Sequence, residues 1–542
     1  MKDCRVNLTN DEKELAILRD AVDLAQEKAG KKVVNSPEIK KMIEIVENFI
    51  RKKKLICYGG TAINNLLPIQ DQFYNKDIEI PDYDFFSSNP VDDAKELADI
   101  YYQNGYEEVE AKAGQHYGTY KVFVDFIPVA DITLLEKKLF NTVKIESVKV
   151  DGILYAPPNL LRMSMYLELS RPAGDTTRWE KVLKRLLLLN KHYPLKGDKC
   201  NSVDFQRSFE NEKNEDQINN IVKSTLISQG VVFFGGYAVN LYSRYMSKKE
   251  YRKIEDYPDF DVLSEDAFKT ATIVKERLND EGYKNVKVVK MPPIGEIIST
   301  HYEIRVGTET VAFIYQPFGC HSFNIINLKG AKLKVATIDT MLSFYLAFLY
   351  ANLPYYDTNR ILCMTEYLFK VQERNRLSQK GLLRRFSISC YGEQPTKESI
   401  RSEKADKFKE LKNKRNTKDY EEWFLKYVPG YKLKDDKKND KKDDKKDDKK
   451  DDKKDDNKDD KKDDKKDDKK DDNKDDKKDD KKDDKKDDKK DDKKDDNNDD
   501  NKDDKKDART NKKDTKKYMK KNTRKTNKSI KKKNSKFFKF FG

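Results

Sequence analysis

The strongest constraint on the fold is an internal repeat. The segment 57–64 reads Cys-Tyr-Gly-Gly-Thr-Ala-Ile-Asn, and the segment 233–240 reads Phe-Phe-Gly-Gly-Tyr-Ala-Val-Asn. The segment 81–87 reads Pro-Asp-Tyr-Asp-Phe-Phe-Ser, and the segment 258–264 reads Pro-Asp-Phe-Asp-Val-Leu-Ser. Because both motifs return in the same order and at nearly the same offset, we infer that one fold unit was duplicated.

Each copy predicts a mixed α+β unit. An apolar strand leads into a Gly-Gly turn, a helix and then an acidic strand. Two amphipathic helices are predicted before the first copy, over residues 10–54, with Asn10 as a candidate cap. The predicted domains are an N-terminal helical segment (1–54), a first domain (55–195), a linker (196–227), a second domain with a helical extension (228–433), a Lys/Asp repeat (434–507) and a basic tail (508–542).

Most of the net charge of +15 comes from the C-terminal part of the sequence. Residues 434–507 consist of 32 Lys, 36 Asp and 6 Asn, and residues 508–542 hold 15 Lys or Arg against one Asp. With no apolar surface to offset chain entropy, the repeat is expected to be disordered and to act as a solvated spacer. The basic tail, which ends in four phenylalanines, suits nucleic acid; a nuclear-import signal or a partner contact is the alternative.

Several classes of protein are excluded by composition. The sequence has no apolar run of 18 residues and no apolar segment near Met1, so neither a membrane span nor a secretion signal is expected. The six cysteines, at positions 4, 57, 200, 320, 363 and 390, form no Cys-x-x-Cys pair. We therefore expect a reducing compartment and neither a disulfide framework nor a zinc finger. With only four histidines, a bound metal would be held by carboxylates.

Two aspartates separated by one residue are the first candidate site residues. Asp82 and Asp84 lie among aromatic residues, which indicates the end of a strand rather than a solvated loop, and period two places both carboxylates on one face. No Lys or Arg is adjacent to them in the sequence. A divalent cation would relieve their repulsion, and hard oxygen ligands favour Mg²⁺ or Mn²⁺.

A two-metal site requires a third carboxylate. Asp125 lies in the apolar segment Val-Phe-Val-Asp-Phe-Ile-Pro over 122–128, where an aspartate is costly to bury without a purpose. Asp131 follows shortly afterwards. We prefer Asp125, but the spacing does not decide between the two.

The diglycine turn is the candidate phosphate site. Gly59 and Gly60 follow an apolar strand and open a predicted helix, so that backbone N–H groups and the helix N-terminus could bind phosphate. Thr61 adds a hydroxyl group. The alternative interpretation is an ordinary strand-to-helix turn.

The order of these motifs resembles the polymerase-β-like nucleotidyltransferase superfamily. The Gly-Gly-Thr-Ala-Ile-Asn sequence at 59–64, the duplication and the Lys/Asp-rich end are most similar to the poly(A) polymerase catalytic subunits of giant DNA viruses, the mimivirus group especially. The resemblance covers about residues 35–400. It implies two tandem nucleotidyltransferase domains with helical decoration, followed here by the charged tail.

The resemblance also implies an activity, namely template-independent addition of AMP from ATP to RNA 3′ ends with two Mg²⁺ or Mn²⁺ ions. The turn at 59–61 would hold the triphosphate, and Asp82 and Asp84 would ligate both metals. Asp125, or alternatively Asp131, would complete the metal site and assist deprotonation of the 3′-hydroxyl.

Partners and location are expected on the same basis. The partners would be an RNA 3′ end and ATP, with a homodimer or a viral processivity or capping protein as a further partner. The expected location is the virion or the viral factory in the host cytoplasm, without membrane attachment.

The second copy is predicted to be catalytically silent. It keeps Asp259 and Asp261, but Tyr237 replaces the threonine that follows the glycines. Its strand over 311–320 reads Val-Ala-Phe-Ile-Tyr-Gln-Pro-Phe-Gly-Cys and carries no carboxylate. We expect it to serve packing, RNA holding or dimerisation.

Two other functions stay open at this point. One is a nucleotidyltransferase that makes oligoadenylate, a cyclic dinucleotide or a CCA end; the other is a catalytically silent RNA-binding protein. Basic clusters fit any of these, since each is either an RNA track or a solvated face. They comprise 51–54, then Lys181, Lys184, Arg185 and Lys191, and finally Arg384 and Arg385.

Overall fold

The computed structural model describes residues 9–203, 205, 215–247, 250, 260–328 and 330–430. The Lys/Asp repeat (434–507), the basic tail (508–542) and Asp259 lie outside the described residues. The predictions made for them are therefore not addressed by the fold.

Fourteen α-helices lie in the described part of the chain. They are α1 (Asn10–Val34), α2 (Pro37–Lys53), α3 (Gly59–Leu66), α4 (Pro90–Gln103), α5 (Lys137–Glu146), α6 (Pro158–Leu169), α7 (Trp179–His192), α8 (Glu215–Ser228), α9 (Gly236–Ser243), α10 (Ala267–Asp280), α11 (Ile338–Phe348), α12 (Thr358–Arg374), α13 (Lys397–Leu411) and α14 (Lys418–Phe424).

The same described residues contain sixteen β-strands. They are β1 (Ile56–Cys57), β2 (Asp84–Ser87), β3 (Val109–Ala113), β4 (Thr119–Val124), β5 (Ile127–Leu134), β6 (Val148–Val150), β7 (Ile153–Tyr155), β8 (Val232–Phe233), β9 (Phe260–Leu263), β10 (Val286–Met291), β11 (His301–Val306), β12 (Glu309–Tyr315), β13 (His321–Leu328), β14 (Ala331–Ala336), β15 (Cys390–Tyr391) and β16 (Lys426–Tyr427).

The strands form two mixed sheets in which seven strands follow the same order, while the eighth strand lies at opposite ends of the two sheets. The first sheet has the order β16-β3-β4-β5-β2-β1-β7-β6, and the second has β10-β11-β12-β9-β8-β14-β13-β15. In both, the acidic strand pairs parallel with the third strand of a meander and antiparallel with the strand before the diglycine turn. The tandem α+β architecture expected from the repeat is thus confirmed. The predicted domain boundaries stay predictions.

The two helices before the first sheet begin at sequence-encoded caps. Thr9, rather than the expected Asn10, caps α1 in a capping box with Glu12. Ser36 caps α2, and its hydroxyl accepts a bond from Ile39 N at 3.2 Å, with Pro37 in the first helical position. The apolar face of α2 joins the core of the first sheet.

The two copies are joined by corresponding helices and by a returning arm. Helix α6 of the first copy packs against α11 of the second. After β15, the chain returns to the first sheet, where α14 packs on β3 and β16 extends the edge by pairing Tyr427 with Ala111. We call residues 392–430 the returning arm.

Two disulfides correct the expectation that the chain lacks a disulfide framework. Cys200 is bonded to Cys363, and Cys320 to Cys390, while the buried Cys57 is a free thiol. The partners are 163 and 70 residues apart in the chain, so the fold alone brings them together. Among the described helices, none combines the length and apolar character that a membrane span requires.

Candidate active site

The pairing of β2 with β5 places two candidate carboxylates side by side. The strands run parallel, and Asp84 is the direct partner of Asp131 in their register. The backbone N–H of Asp131 also donates to the carbonyl of Tyr83 at 3.0 Å. Asp82 is exposed and lies two residues earlier, just outside the strand, in the segment that leads into β2. The Asp-x-Asp motif therefore lies at a strand terminus, where β2 begins, and only its second acid is in the strand.

Asp125, the preferred candidate for the third carboxylate, lies apart from the paired Asp84 and Asp131. It occupies the tight turn between β4 and β5 together with Phe126, and both residues have positive φ, at 50° and 65°. This geometry is typical of a two-residue hairpin turn, in which aspartate is well tolerated. Four residues of β5, 127–130, lie between the exposed turn and Asp131, and the distance along the strand from Ile127 to Asp131 is about 13 Å at the usual rise per residue.

The site is electrostatically crowded. Burial, followed by the negative charges of Asp82 and Asp131, raises the pKa of Asp84 well above its usual range. Lys121 and Arg178 oppose this shift. Lys121 on β4 also forms an ion pair with Asp131, with Nζ 3.0 Å from Oδ2. The negative charge of the three aspartates near the start of β2 is thus only partly balanced by Lys121 and Arg178.

The first glycine of the turn allows close approach to Asp84. Gly59 has a φ of +71°, and a Cβ atom added there would lie 2.5 Å from Asp84 Oδ2. The turn is further fixed to β2 because the N–H of Tyr58 donates to the Asp84 carbonyl at 2.9 Å. The first position of the diglycine motif therefore requires glycine, because a larger residue would collide with the Asp84 carboxylate.

The Thr61 hydroxyl forms a hydrogen bond within the protein. It is buried and donates to the backbone carbonyl of Asp82 at 2.6 Å. This bond ties the segment before β2 to the start of α3. Thr61 is therefore placed to position Asp82, rather than directed toward open space at the turn.

The asparagine that closes the repeated motif has a structural role that the sequence did not suggest. Asn64 is buried on α3, and its Oδ1 accepts bonds from the N–H groups of Phe73 at 2.8 Å and Tyr74 at 2.9 Å. It thereby holds the segment between α3 and β2 over the diglycine turn.

Helix α7 and the turn before it bring positive charge to the same place. The positive charge of Arg178 partly offsets the rise in the pKa of Asp84. Arg178 also forms an ion pair with Glu168, with Arg178 Nε 3.3 Å from Glu168 Oε1. Burial raises the pKa of Glu168. Arg185 lies next to Gly60, as described below. The sequence identified a basic cluster at 181–191, but nothing in it distinguished Arg185 from its solvated neighbours.

The second sheet lacks one carboxylate at the corresponding place. Asp261 on β9 pairs directly with Phe313 on β12, so that a phenylalanine stands where the first sheet has Asp131. The close approach of the turn is retained, since a Cβ atom on Gly235 would collide with the Asp261 carboxylate. The second copy thus keeps the contact between the diglycine turn and the acidic strand but has no acid at the position of Asp131.

The carboxylates of the first sheet suit a divalent cation by donor chemistry and by charge. Asp84 and Asp131 offer hard oxygen donors, and their crowding is what a bound cation would relieve. In the described ranges, no three His, Cys, Asp or Glu side chains lie together in a group that could hold a metal ion. The ion pair between Lys121 and Asp131 engages one of the candidate ligands.

The carboxylates and the diglycine turn lie in a segment that is similar to known proteins. Residues 44–175 match the family model for the poly(A) polymerase catalytic subunit. A protein of African swine fever virus, named as a candidate poly(A) polymerase catalytic subunit, is 35% identical over 187 residues, which cover 33% of this chain and 39% of that protein. A similarly named protein of Acanthamoeba polyphaga mimivirus is 34% identical over 185 residues, which cover 33% and 30%. The chain thus spans less than half the length of these relatives.

A solved structure is similar over most of the chain. The Megavirus polyadenylate synthase aligns with a TM-score of 0.65 and 20% identity, covering 79% of this chain and 87% of that one. This likeness concerns the fold. The resemblance predicted from the sequence motifs is confirmed: residues 44–175 match the poly(A) polymerase catalytic subunit family model, and the chain has a fold similar to that of a viral polyadenylate synthase.

Proposed function

We propose that the protein is a template-independent polynucleotide adenylyltransferase that adds AMP from ATP to RNA 3′ ends. The observation that carries the proposal is the direct pairing of Asp84 with Asp131 beside the diglycine turn. This arrangement lies inside the segment that matches the poly(A) polymerase family model. A structural strand pairing alone does not require acids at both positions, and the second sheet has a phenylalanine at one of them.

The first copy would hold two Mg²⁺ or Mn²⁺ ions through Asp82, Asp84 and Asp131. When bound, such ions neutralise the triphosphate and lower the pKa of the attacking hydroxyl. Of the two candidates for the third acid, we choose Asp131 over Asp125, because Asp131 is the strand partner of Asp84. The Thr61 hydroxyl would keep Asp82 near the other two acids through its bond to the Asp82 carbonyl.

The reaction is a phosphoryl transfer with no covalent enzyme intermediate. The RNA 3′-hydroxyl oxygen forms a bond to the α-phosphorus of ATP, the bond from that phosphorus to the bridging oxygen breaks, and pyrophosphate leaves. The hydroxyl proton passes to a base, for which Asp131 is the proposed acceptor. Backbone groups of Gly59 and Gly60 would orient the phosphates, and positioning supplies much of the rate enhancement.

The proposal is tested by incubating the full chain with radiolabelled ATP, Mg²⁺ and a short RNA. Long ladders on a denaturing gel are expected from the wild type. The double variant Asp82→Ala/Asp84→Ala should lose at least about 10³-fold in rate. Short soluble products would instead indicate oligonucleotide synthesis, and no incorporation by the wild type would contradict the proposal.

We propose that the second copy does not catalyse this reaction, because Phe313 replaces the third acid. The matched test is Asp261→Ala, which removes the acid on β9 that corresponds to Asp84 on β2. Polymerisation by this variant should stay within about twofold of the wild type. A loss as large as that of the first-copy variant would overturn the assignment.

A further inference from the structure

A cationic and aromatic cluster lies over the second glycine of the turn. A Cβ atom added to Gly60 would collide with the Tyr74 hydroxyl and would come within 3.2 Å of Arg185 Nη1. Arg185 Nη2 donates to the Tyr74 hydroxyl at 2.8 Å. The guanidinium also lies over the rings of Phe73 and Tyr74, 4.7 and 5.4 Å from their centroids. A positive charge therefore stands beside the turn.

The cluster is fixed at both ends. Asn64 binds the N–H groups of Phe73 and Tyr74, which ties them to α3. A few residues earlier, Asp71 accepts a bond from Lys191 of α7 at 2.7 Å. These bonds hold segment 71–74 between two helices, so the cation is presented in one orientation and little side-chain freedom is left to lose on binding.

Opposite charges lie next to the two glycines of the turn. Asp84 lies next to Gly59, and Arg185 lies next to Gly60. Arginine has a planar fork of five N–H donors that matches phosphate oxygens, and the bond to Tyr74 uses one of them. The Tyr74 hydroxyl can itself donate to a phosphate oxygen. The acidic side therefore suits metal ions and the basic side suits phosphate.

We propose that Arg185 and Tyr74 form the triphosphate-binding pair of the first copy. This inference rests on the proposed function, since it assigns the phosphate subsite of the same active site. Arg185 lies outside the residues that match the family model. The pair recognises the phosphates of a nucleoside triphosphate and not its base.

The test is binding of tripolyphosphate and of ATP to the full chain, each with Mg²⁺, by isothermal titration calorimetry. Arg185→Ala should weaken both ligands at least tenfold and leave adenosine binding unchanged. Tyr74→Phe should weaken both about threefold, because the ring remains but a donor is lost. In steady-state assays, Arg185→Ala should raise the KM for ATP more than it lowers kcat.

The matched control is Lys184→Ala, on the same helix and of the same charge. Lys184 is solvent-exposed and pairs with Glu180, so tripolyphosphate binding should not change. If Arg185→Ala lowers the unfolding temperature strongly, Arg185→Lys and Tyr74→Phe decide the matter instead. Unchanged tripolyphosphate affinity in these variants would overturn the inference. A wild type that binds tripolyphosphate through Arg185 but extends no RNA would refute the proposed function alone.

Discussion

Asp84 carries its carboxylate in a place that opposes ionisation. Ionisation of this carboxyl group is unfavourable because the group is buried against Gly59 and lies near the negative charges of Asp82 and Asp131. Residues in unfavourable electrostatic surroundings are frequent at functional sites. A purely structural aspartate would have been free to change to asparagine, which fits the same space without the charge.

This cost gives a prediction about stability. The pKa of Asp84 is raised in the folded state, so its charge destabilises the fold at neutral pH, and the cost disappears below the unfolded-state value of about 4. Asp84→Asn should therefore raise the unfolding temperature at pH 7 and match the wild type near pH 4, as measured by circular dichroism. A lower unfolding temperature at pH 7 would contradict the electrostatic account. The exposed Asp125→Asn serves as the control and should be neutral within about 0.5 kcal/mol at both pH values.

The choice between two aspartates gives a second prediction. Asp131→Asn should reduce polymerisation at least about 10³-fold, since it removes the acid paired with Asp84. Asp125→Asn should retain activity within about twofold, because asparagine suits a turn residue with positive φ. Primer-extension rates with matched protein concentrations give the comparison. The reverse ranking would restore Asp125 as the third acid.

At the scale of elements, the returning arm completes the first sheet. Its strand β16 covers the edge of β3, and the Tyr117 ring packs against Trp423 with centroids 4.5 Å apart. The Tyr120 hydroxyl donates to the Glu422 carbonyl at 2.7 Å. Because an uncovered edge strand invites association with other chains, the arm also protects the sheet.

Removing the main aromatic contact of the arm should have a measurable cost. Trp423→Ala is expected to lower the free energy of unfolding by about 2 kcal/mol, less than for a fully buried tryptophan because the side chain is half-buried. Urea denaturation followed by circular dichroism measures the change. The control Val428→Ala, exposed and just beyond β16, should cost less than about 0.5 kcal/mol. A loss below about 0.5 kcal/mol in Trp423→Ala as well would contradict a contribution of this aromatic contact to stability.

The sequence predicts local features of this molecule well and long-range ones poorly. The helices over 10–53, the diglycine turn and the duplicated order all follow from motifs that are close together in the chain. The pairing of Asp84 with Asp131 depends on strand register, which spacing does not reveal, and the hairpin turn at Asp125 resembles a buried strand in composition. Arg185 reaches the turn only through packing of α7, so no local pattern distinguishes it.

At the scale of the whole molecule, a buried ion pair connects the second copy to the segment that leads into β15. Asp339 on α11 is fully buried, and both its carboxylate oxygens accept bonds from Arg385 Nε at 2.9 Å. Gln372 of α12 is also within 3.5 Å. The sequence interpretation of Arg385 as part of an RNA track or a solvated face does not account for this burial.

The buried ion pair predicts that replacing Arg385 lowers the free energy of unfolding much more than replacing its neighbour Arg384. Arg385→Ala should lower the free energy of unfolding by about 3 kcal/mol or more, because it leaves the Asp339 charge buried without its partner. Arg384→Ala, at an exposed position, should cost less than about 0.5 kcal/mol. Chemical denaturation of the two variants side by side makes the comparison. Similar small effects would mean that the carboxylate finds another partner or becomes protonated.

The pairing of β16 with β3 also has a consequence for synthesis on the ribosome. Domains usually fold as they emerge, beginning at the N-terminus, yet the edge of the first sheet waits for residues 426–427, more than 300 positions after β3. A polypeptide whose synthesis stops before residue 426 would therefore leave the first sheet open at the β3 edge.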